Sequence, residues 1–213
     1  MTGYDSIGSA HVYTELIQKS KFIVYLAPVQ SAEDARDMLA ALRKEHYTAT
    51  HICSATRLGQ HPVREQSSDD GEPAGTAGRP MLHVLQQQGL TDIAAAIVRY
   101  FGGIKLGAGG LIRAYGGTLA RALESASLIR YTPHHRYLVR IPYDLLGRLE
   151  NDWQQRPYRV ADRAFAADVT LTVDVPSVLA ADFVPALTDL TAARSVITDE
   201  GEHLLALPRP NAK

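Results

Sequence analysis

Two glycine-rich segments hold most of the residues whose types and spacing could bind a charged ligand. The first covers residues 68–82 (SDDGEPAGTAGRPML) and the second covers residues 98–117 (VRYFGGIKLGAGGLIRAYGG). Seven glycines fall within residues 102–117, and glycine allows positive φ and close approach to the backbone. Each segment is predicted to end at a helix start, where free N–H groups and the helix dipole favour an anion. The expected chemistry is therefore binding of a phosphate or of an acidic partner.

Basic residues flank these glycines and would supply the positive charge of such a site: Arg79, Arg99, Lys105 and Arg113. We predict that they bind the ligand together with the loop residues beside them. These loop residues are Asp69, Asp70, Gly71, Glu72, Gly75, Thr76, Gly78, Gly102, Gly103, Gly107, Gly109 and Gly110. The glycines could equally serve only to pack a tight loop under a helix, and their spacing alone does not decide between the two interpretations.

Neither segment matches a nucleotide-binding fingerprint. No Gly-Lys-Ser or Gly-Lys-Thr follows the glycines, which excludes a P-loop. Gly107 and Gly109 are followed by Ile112 at the place where the third glycine of G-x-G-x-x-G belongs, so the dinucleotide fingerprint is excluded as well. We therefore expect no cofactor.

An acidic cluster at the start of the first segment allows two interpretations. Asp69, Asp70 and Glu72 could hold Mg²⁺ through one or two carboxylates. Acidic residues beside a glycine turn more often cap backbone N–H groups or pair with arginines. No phosphate-binding lysine motif accompanies the cluster, so we favour the second interpretation and expect no metal.

A catalytic centre at His51 and Cys53 is not favoured. The two residues lie on the same face of a predicted strand, but a Cys–His pair also needs an orienting carboxylate and an oxyanion hole. A lone cysteine is usually core filling. No HExxH, CxxC or comparable spacing predicts zinc either.

Three aromatic residues lie close to the second segment: Tyr100, Phe101 and Tyr115. An exposed aromatic ring there could stack on a base, as in single-strand binders, whereas a buried one would belong to the core. Tyr100 and Phe101 point to opposite faces of their strand. One of them could therefore be exposed, and the pattern does not say which.

The elements that hold the segments follow from local patterns. Lys21–Val29 is rich in β-branched and aromatic residues, which predicts a strand. Ser31 and Asp34 form a capping box that opens a helix. Two further strands are predicted over 49–57 and 93–101, and the second of these is nearly all apolar and should be central and buried. The other expected elements are a helix over 80–88, a helix over 111–126 and a long loop over 58–79.

The second half carries strand, helix, strand, strand, helix, strand in that order, which is the ferredoxin-like plan. Residues 137–141 and 169–175 alternate between apolar and polar, and helical spacing follows each of these strands. Thr132 and Pro133 mark the boundary. The predicted organisation is two α+β domains, 1–132 and 133–213.

Composition indicates a globular protein of a reducing compartment. Of 213 residues, 46% are hydrophobic and 21% charged, and the single cysteine excludes an internal disulfide. No signal-peptide pattern and no apolar run of membrane-spanning length occur, so we expect a cytoplasmic protein without a membrane partner. Residues 1–132 hold 13 Lys and Arg against 12 Asp and Glu, and residues 133–213 hold 9 against 11. Bulk charge therefore predicts no strong non-specific binding of nucleic acid. The charge count does not decide whether a local basic face exists.

The two glycine-rich segments closely resemble the signatures of the IMPACT/YigZ family, with lesser similarity at residues 19–23 (KSKFI) and 49–53. The resemblance covers about 130 residues by motif and the second domain by size and element order. It implies a first domain of the ribosomal-protein-like α/β two-layer sandwich type. It also implies a ferredoxin-like second domain similar to one in elongation factor G. Relatives often carry two adjacent histidines where this chain has His51 and Ile52, so a role that needs the pair is in doubt.

The resemblance also implies a function, because eukaryotic members are linked to translation control through the amino-acid-starvation kinase pathway. We expect a non-enzymatic binding protein whose partner is RNA, the ribosome or a translation-regulatory protein. The alternative is an enzyme acting on a small phosphorylated or carboxylated substrate, with Asp69, Asp70 and His51 as acid, base or metal ligands. A third interpretation is a purely structural module in which the glycines only pack.

Overall fold

The structure is a computed structural model that describes residues 2–210 of the chain. It divides into two compact units. The first comprises residues 4–130 and residues 207–210. The second comprises residues 131–206 and residues 2–3. Each unit thus contains two separate stretches of the sequence.

The first unit is built on a five-stranded antiparallel sheet in the order β2-β3-β6-β4-β5. The strands of the unit are β1 (Tyr4–Ile7), β2 (His11–Ile17), β3 (Ser20–Pro28), β4 (His51–Leu58), β5 (Arg64–Ser68) and β6 (Ile93–Tyr100). The helices are α1 (Ala32–Glu45), α2 (Gly78–Gln87) and α3 (Gly107–Ser125).

Helices cover both faces of this sheet. α2 and α3 pack on one face, where Met81, Leu85 and Leu119 meet Phe22 and Ile97 in the larger core. α1 packs on the other face through Leu42 and its apolar neighbours. Residues 93–99 of β6 are all buried because this central strand is covered on both sides. The central buried strand predicted over residues 93–101 is confirmed as β6.

The capping box predicted for α1 is also present. The Ser31 hydroxyl accepts a hydrogen bond from the Asp34 N–H (3.1 Å), and the Asp34 carboxylate accepts one from the Ser31 N–H (2.9 Å). These bonds satisfy two donors at the helix end, which fixes where α1 begins.

Two parts of the first unit differ from the predicted elements. Residues before Lys21, for which no element was predicted, form β1 and β2, and the predicted loop over residues 58–79 contains β5. All five residues of β5 are exposed, and β5 lies at the edge of the sheet. A strand that buries neither face has no apolar alternation, so its sequence carries no strand signal.

The second unit has the predicted strand–helix order. Its elements are β7 (Leu128–Ile141), α4 (Leu146–Trp153), β8 (Arg159–Phe165), β9 (Val169–Pro176), α5 (Ala180–Leu190) and β10 (Val196–Pro208). The strands lie in the order β10-β7-β9-β8. The α+β class and the ferredoxin-like order are confirmed. Trp153 and Phe183 bring α4 and α5 onto Val139, Leu171 and Val173 of the sheet.

Candidate functional site

Both glycine-rich segments reach the same end of the first sheet. His51, which begins β4, pairs with Arg99 near the end of β6, and Tyr100 pairs with Lys21 at the start of β3. The loop before α2 and the loop before α3 therefore lie beside the turn between β2 and β3. We call this region the glycine-rich end and define it as residues 18–21, 69–79 and 99–113.

A buried ion pair joins the two segments. Arg99 donates to the Glu72 carboxylate (Nη1 to Oε1, 2.5 Å), and the Tyr115 hydroxyl donates to the same oxygen at 2.8 Å. The side chains of Arg99 and Glu72 are only 6% and 3% exposed. Arg99 also reaches the Ser20 hydroxyl at 3.4 Å. The structure thus places Arg99 and Glu72 inside the unit, away from any surface ligand.

Asp69 acts as the cap of α2. Its carboxylate accepts hydrogen bonds from the N–H groups of Gly75 (2.7 Å), Ala77 (3.0 Å) and Gly78 (2.8 Å). Partial burial opposes ionisation, but these backbone donors outweigh it and lower the pKa of Asp69 below its ordinary value. The anion-binding capacity of the α2 N-terminus is therefore used by the chain itself.

Asp70 and His51 are held in the same loop. The Asp70 carboxylate accepts from the Ile52 N–H at 2.7 Å and pairs with Arg43 at 3.4 Å. His51 Nδ1 donates to the Asp70 carbonyl at 2.8 Å, and its Nε2 lies 3.9 Å from the buried Glu72 carboxylate. Asp69 and Asp70 thus accept hydrogen bonds from backbone N–H groups, and Asp70 and Glu72 pair with arginines. Within residues 2–210, no group of His, Cys, Asp and Glu side chains is arranged to hold a metal ion.

Cys53 is a core residue. Its thiol donates to the Asp69 carbonyl (2.9 Å) and contacts the Tyr115 hydroxyl (3.4 Å). Burial, with the nearby carboxylates, raises the pKa of the Cys53 thiol to about 12. The thiol is therefore protonated at neutral pH and lacks the nucleophilic form that catalysis needs. The acid and base roles considered for His51, Asp69 and Asp70 would also compete with the hydrogen bonds just described.

Several of the predicted site residues are structural. A Cβ at position 102 would lie 2.0 Å from the Lys19 carbonyl carbon, so only glycine lets this loop pass the turn between β2 and β3. A Cβ at position 78 would meet the Ser68 backbone at 2.8 Å. Thr76 is buried, and its hydroxyl donates to the Pro73 carbonyl at 2.6 Å. Among the glycines predicted to belong to the site, those with positive φ are Gly71, Gly75, Gly103 and Gly107.

The start of α3 is the part of the glycine-rich end whose first N–H groups have no side-chain hydrogen-bond acceptor. No side chain caps it, and its first turn contains no acidic residue. Gly107 begins the helix with φ 69° and open space around its α-carbon. Arg113 Nη1 lies 3.6 Å from where a Cβ of residue 109 would stand, so its guanidinium lies along the first turn. Gly109 and Gly110 belong to the same turn.

α3 also begins further out than α2. Pro80, in the first turn of α2, packs against Gly116, which lies in the third turn of α3. Nine residues of α3 precede this contact, against two residues of α2.

Comparison with known proteins identifies the family. The model of the Impact N-terminal domain matches residues 18–123, and the model of a domain of unknown function (DUF1949) matches residues 139–194. The IMPACT family member YvyE of Bacillus subtilis is 37% identical over 204 residues, covering 93% of this chain and 91% of the relative. The IMPACT family member YigZ of Escherichia coli is 40% identical over 179 residues, covering 83% and 88%. The chain belongs to the IMPACT family. A crystal structure of a hypothetical protein, 34% identical, covers all of both chains with a TM-score of 0.58.

The IMPACT domain of this chain presents five exposed cations at its glycine-rich end: Lys19, Lys21, Arg79, Lys105 and Arg113. None of them forms an ion pair among the residues that the structure describes. Prediction from sequence missed Lys19 and Lys21. Lys19 lies in the turn between β2 and β3 with φ 67°, and Lys21 is the second residue of β3, so no strand alternation links the two in the sequence.

The residue after His51 belongs to the core. Ile52 is 5% exposed and packs in the cluster beneath α1. A side chain at this position faces the opposite side of the sheet from His51. No helix in the described part of this IMPACT member is both long enough and apolar enough to cross a membrane.

Proposed function

We propose that this IMPACT family member is a non-enzymatic binding protein of translation or its regulation. It engages RNA, the ribosome or a translation-regulatory protein through the glycine-rich end of its first unit. The observation that carries the proposal is the uncapped start of α3 beside cations that have no ion-pair partner within residues 2–210.

Charge at this end is arranged to attract an anion. The carboxylates of Asp69, Asp70 and Glu72 accept hydrogen bonds from the chain's own N–H and guanidinium groups. The positive charges of Lys105 and Arg113 have no such partner and are exposed. Phosphates and carboxylates bind both to cationic side chains and to free N–H groups at a helix start. Family membership supports translation as the setting, since eukaryotic members are linked to its control.

Co-sedimentation with ribosomes and with free RNA over a salt series tests this proposal. The wild-type protein should pellet at low salt, and binding should fall as salt rises because phosphate contacts release counterions. Lys105→Glu with Arg113→Glu should weaken binding at least about tenfold at low salt. It should also lower the slope of log K against log salt by roughly 1.5 to 2.

A matched control reverses two cations of the first unit that lie outside the glycine-rich end, one on α1 and one at the start of β5. Arg36→Glu with Arg64→Glu changes net charge by the same amount at exposed residues in no ion pair among those described. The control should retain nearly all of the binding. Equal pelleting by both double variants would remove the glycine-rich end from the proposal.

A further inference from the structure

The aromatic residues near the second segment have different environments in the structure. Tyr115 is fully buried, and the Tyr100 hydroxyl is hydrogen bonded to His46 Nδ1 at 2.8 Å. Phe101 is 46% exposed and directly follows the last residue of β6. Of the three, Phe101 is therefore the ring that a ligand can reach.

The Phe101 ring packs against the guanidinium of Arg99. The Arg99 guanidinium carbon lies 5.6 Å from the Phe101 centroid and 5.4 Å from the Phe22 centroid. The ion pair with Glu72 holds this guanidinium in place. The Phe101 N–H also donates to the Thr50 hydroxyl at 3.0 Å. An exposed ring anchored at its backbone and at one face loses little freedom on binding, which favours stacking by a planar ligand.

Exposed cations follow this ring along the chain. Lys105 lies four residues after Phe101, and Arg113 lies in α3, which begins six residues after Phe101. A flat apolar surface among unpaired cations matches a nucleobase linked to phosphates. Bases inside a duplex are stacked on each other and cannot reach such a ring, whereas single-stranded bases can.

We infer that Phe101 is a stacking platform for one base of a single-stranded nucleic acid whose phosphates contact Lys105 and Arg113. The inference rests on the proposed function and specifies its ligand. The base provides the contact with Phe101, and the backbone provides the salt-dependent part of the affinity.

Fluorescence anisotropy with labelled 12-nucleotide single strands of RNA and DNA, and with a duplex of the same sequence, tests this inference. Phe101→Leu keeps an apolar side chain but removes the π-face. It should weaken single-strand binding by about 5-fold to 100-fold and leave the salt slope and the duplex affinity unchanged. Phe101→Tyr should retain the affinity. Phe165→Leu, which removes the other exposed phenylalanine ring, should have no effect.

A scan of single abasic sites through the strand provides the direct readout. One position should cost the wild-type protein affinity and cost the Phe101→Leu variant nothing, since the two changes remove the same contact.

If Phe101→Leu binds single strands as tightly as wild type while Lys105→Glu with Arg113→Glu does not, stacking is wrong and the proposed function stands. If no nucleic acid or ribosome binds even at low salt, the RNA and ribosome part of the proposed function falls together with this inference. Salt-sensitive binding of an acidic peptide, with no binding of single strands, would overturn the inference in favour of a protein partner. Preference for the RNA or the DNA strand would identify the natural ligand.

Discussion

Glu72 is the residue on which the arrangement of the glycine-rich end depends. It comes from the first segment and holds Arg99 and Tyr115 from the second, all three with buried side chains. Arg99 in turn supports Phe101. Loss of the Glu72 charge would therefore affect both the fold and the shape of the exposed surface.

We predict that Glu72→Gln destabilises the first unit by about 3–5 kcal/mol, because the charge of Arg99 is then left buried without a counter-charge. Urea unfolding, monitored by hydrogen exchange of peptides from the first unit, measures this loss of stability. The control is Glu15→Gln, which breaks the more exposed pair with Arg121 (side chains 24% and 43% exposed) and should cost about 0–1 kcal/mol. Equal losses of unfolding free energy from the two variants would show that the buried pair contributes no more to stability than the more exposed pair.

Sequence patterns identified the chemistry of single residues more readily than their burial. The pairing of acidic residues with arginines was predicted from residue types alone. The burial of Arg99 was not, because it depends on Glu72, which lies 27 residues away along the chain. Exposure of Phe101 rather than Tyr100 depends in the same way on a partner distant in sequence, His46.

At the scale of elements, α2 and α3 start at the same end of the sheet and differ in the hydrogen-bond acceptors of their first N–H groups. The first N–H groups of α2 bond to Asp69, whereas α3 has no side-chain cap. Both helices were predicted from sequence, but α2 begins two residues before the predicted start at Pro80, and α3 begins at Gly107, four residues before the predicted start at Leu111. Which of the two starts is free was not predicted, since the cap of α2 comes from a loop residue eight positions before Ala77.

Asp69→Asn should destabilise the first unit by about 1–2 kcal/mol, the usual range for a lost helix cap with its charge. The pKa of Asp69 is lowered in the folded state, so its contribution is complete above the unfolded pKa of about 3.9. That contribution is lost as pH falls through the folded value. The difference in unfolding free energy between wild type and variant should therefore shrink below about pH 4. A difference that stays constant down to pH 2 would contradict the capping role.

Denaturant unfolding at pH 7, 5, 4, 3 and 2 provides the measurement. Asp37→Asn serves as the control, because this exposed carboxylate on α1 caps no helix. It should change the unfolding free energy by less than about 0.5 kcal/mol at neutral pH.

At the scale of the whole molecule, the first unit is closed by residues from three distant parts of the chain. Asp5 pairs with Arg130 (2.6 Å) and with Arg209 (2.9 Å). The Arg209 N–H donates to the Leu128 carbonyl at 3.0 Å, and its guanidinium reaches the Gln88 carbonyl at 3.1 Å. Local patterns contain no information on such closure, which explains why sequence analysis treated the end of the chain as part of the second domain.

Arg209→Ala should destabilise the first unit by about 1–2 kcal/mol through the loss of charged hydrogen bonds. Hydrogen exchange should become faster around residues 4–7 and 126–130 and stay unchanged in β8 and β9. The pKa of Asp5, held low first by its hydrogen bond to Arg130 and further by the charge of Arg209, should rise part of the way towards its ordinary value. Arg194→Ala, which breaks the exposed pair with Asp144, is the control and should not alter the exchange of the first unit.

The same closure has a consequence for the order of events during protein synthesis. Residues 4–130 leave the ribosome before the chain that contains Arg209 has been made. At about 5–20 residues per second, the first unit exists for roughly 4–15 s without the contacts that Arg209 makes to Asp5 and Leu128. During this interval the Leu128 carbonyl lacks its partner. The first unit is therefore completed only after the second unit has been synthesised.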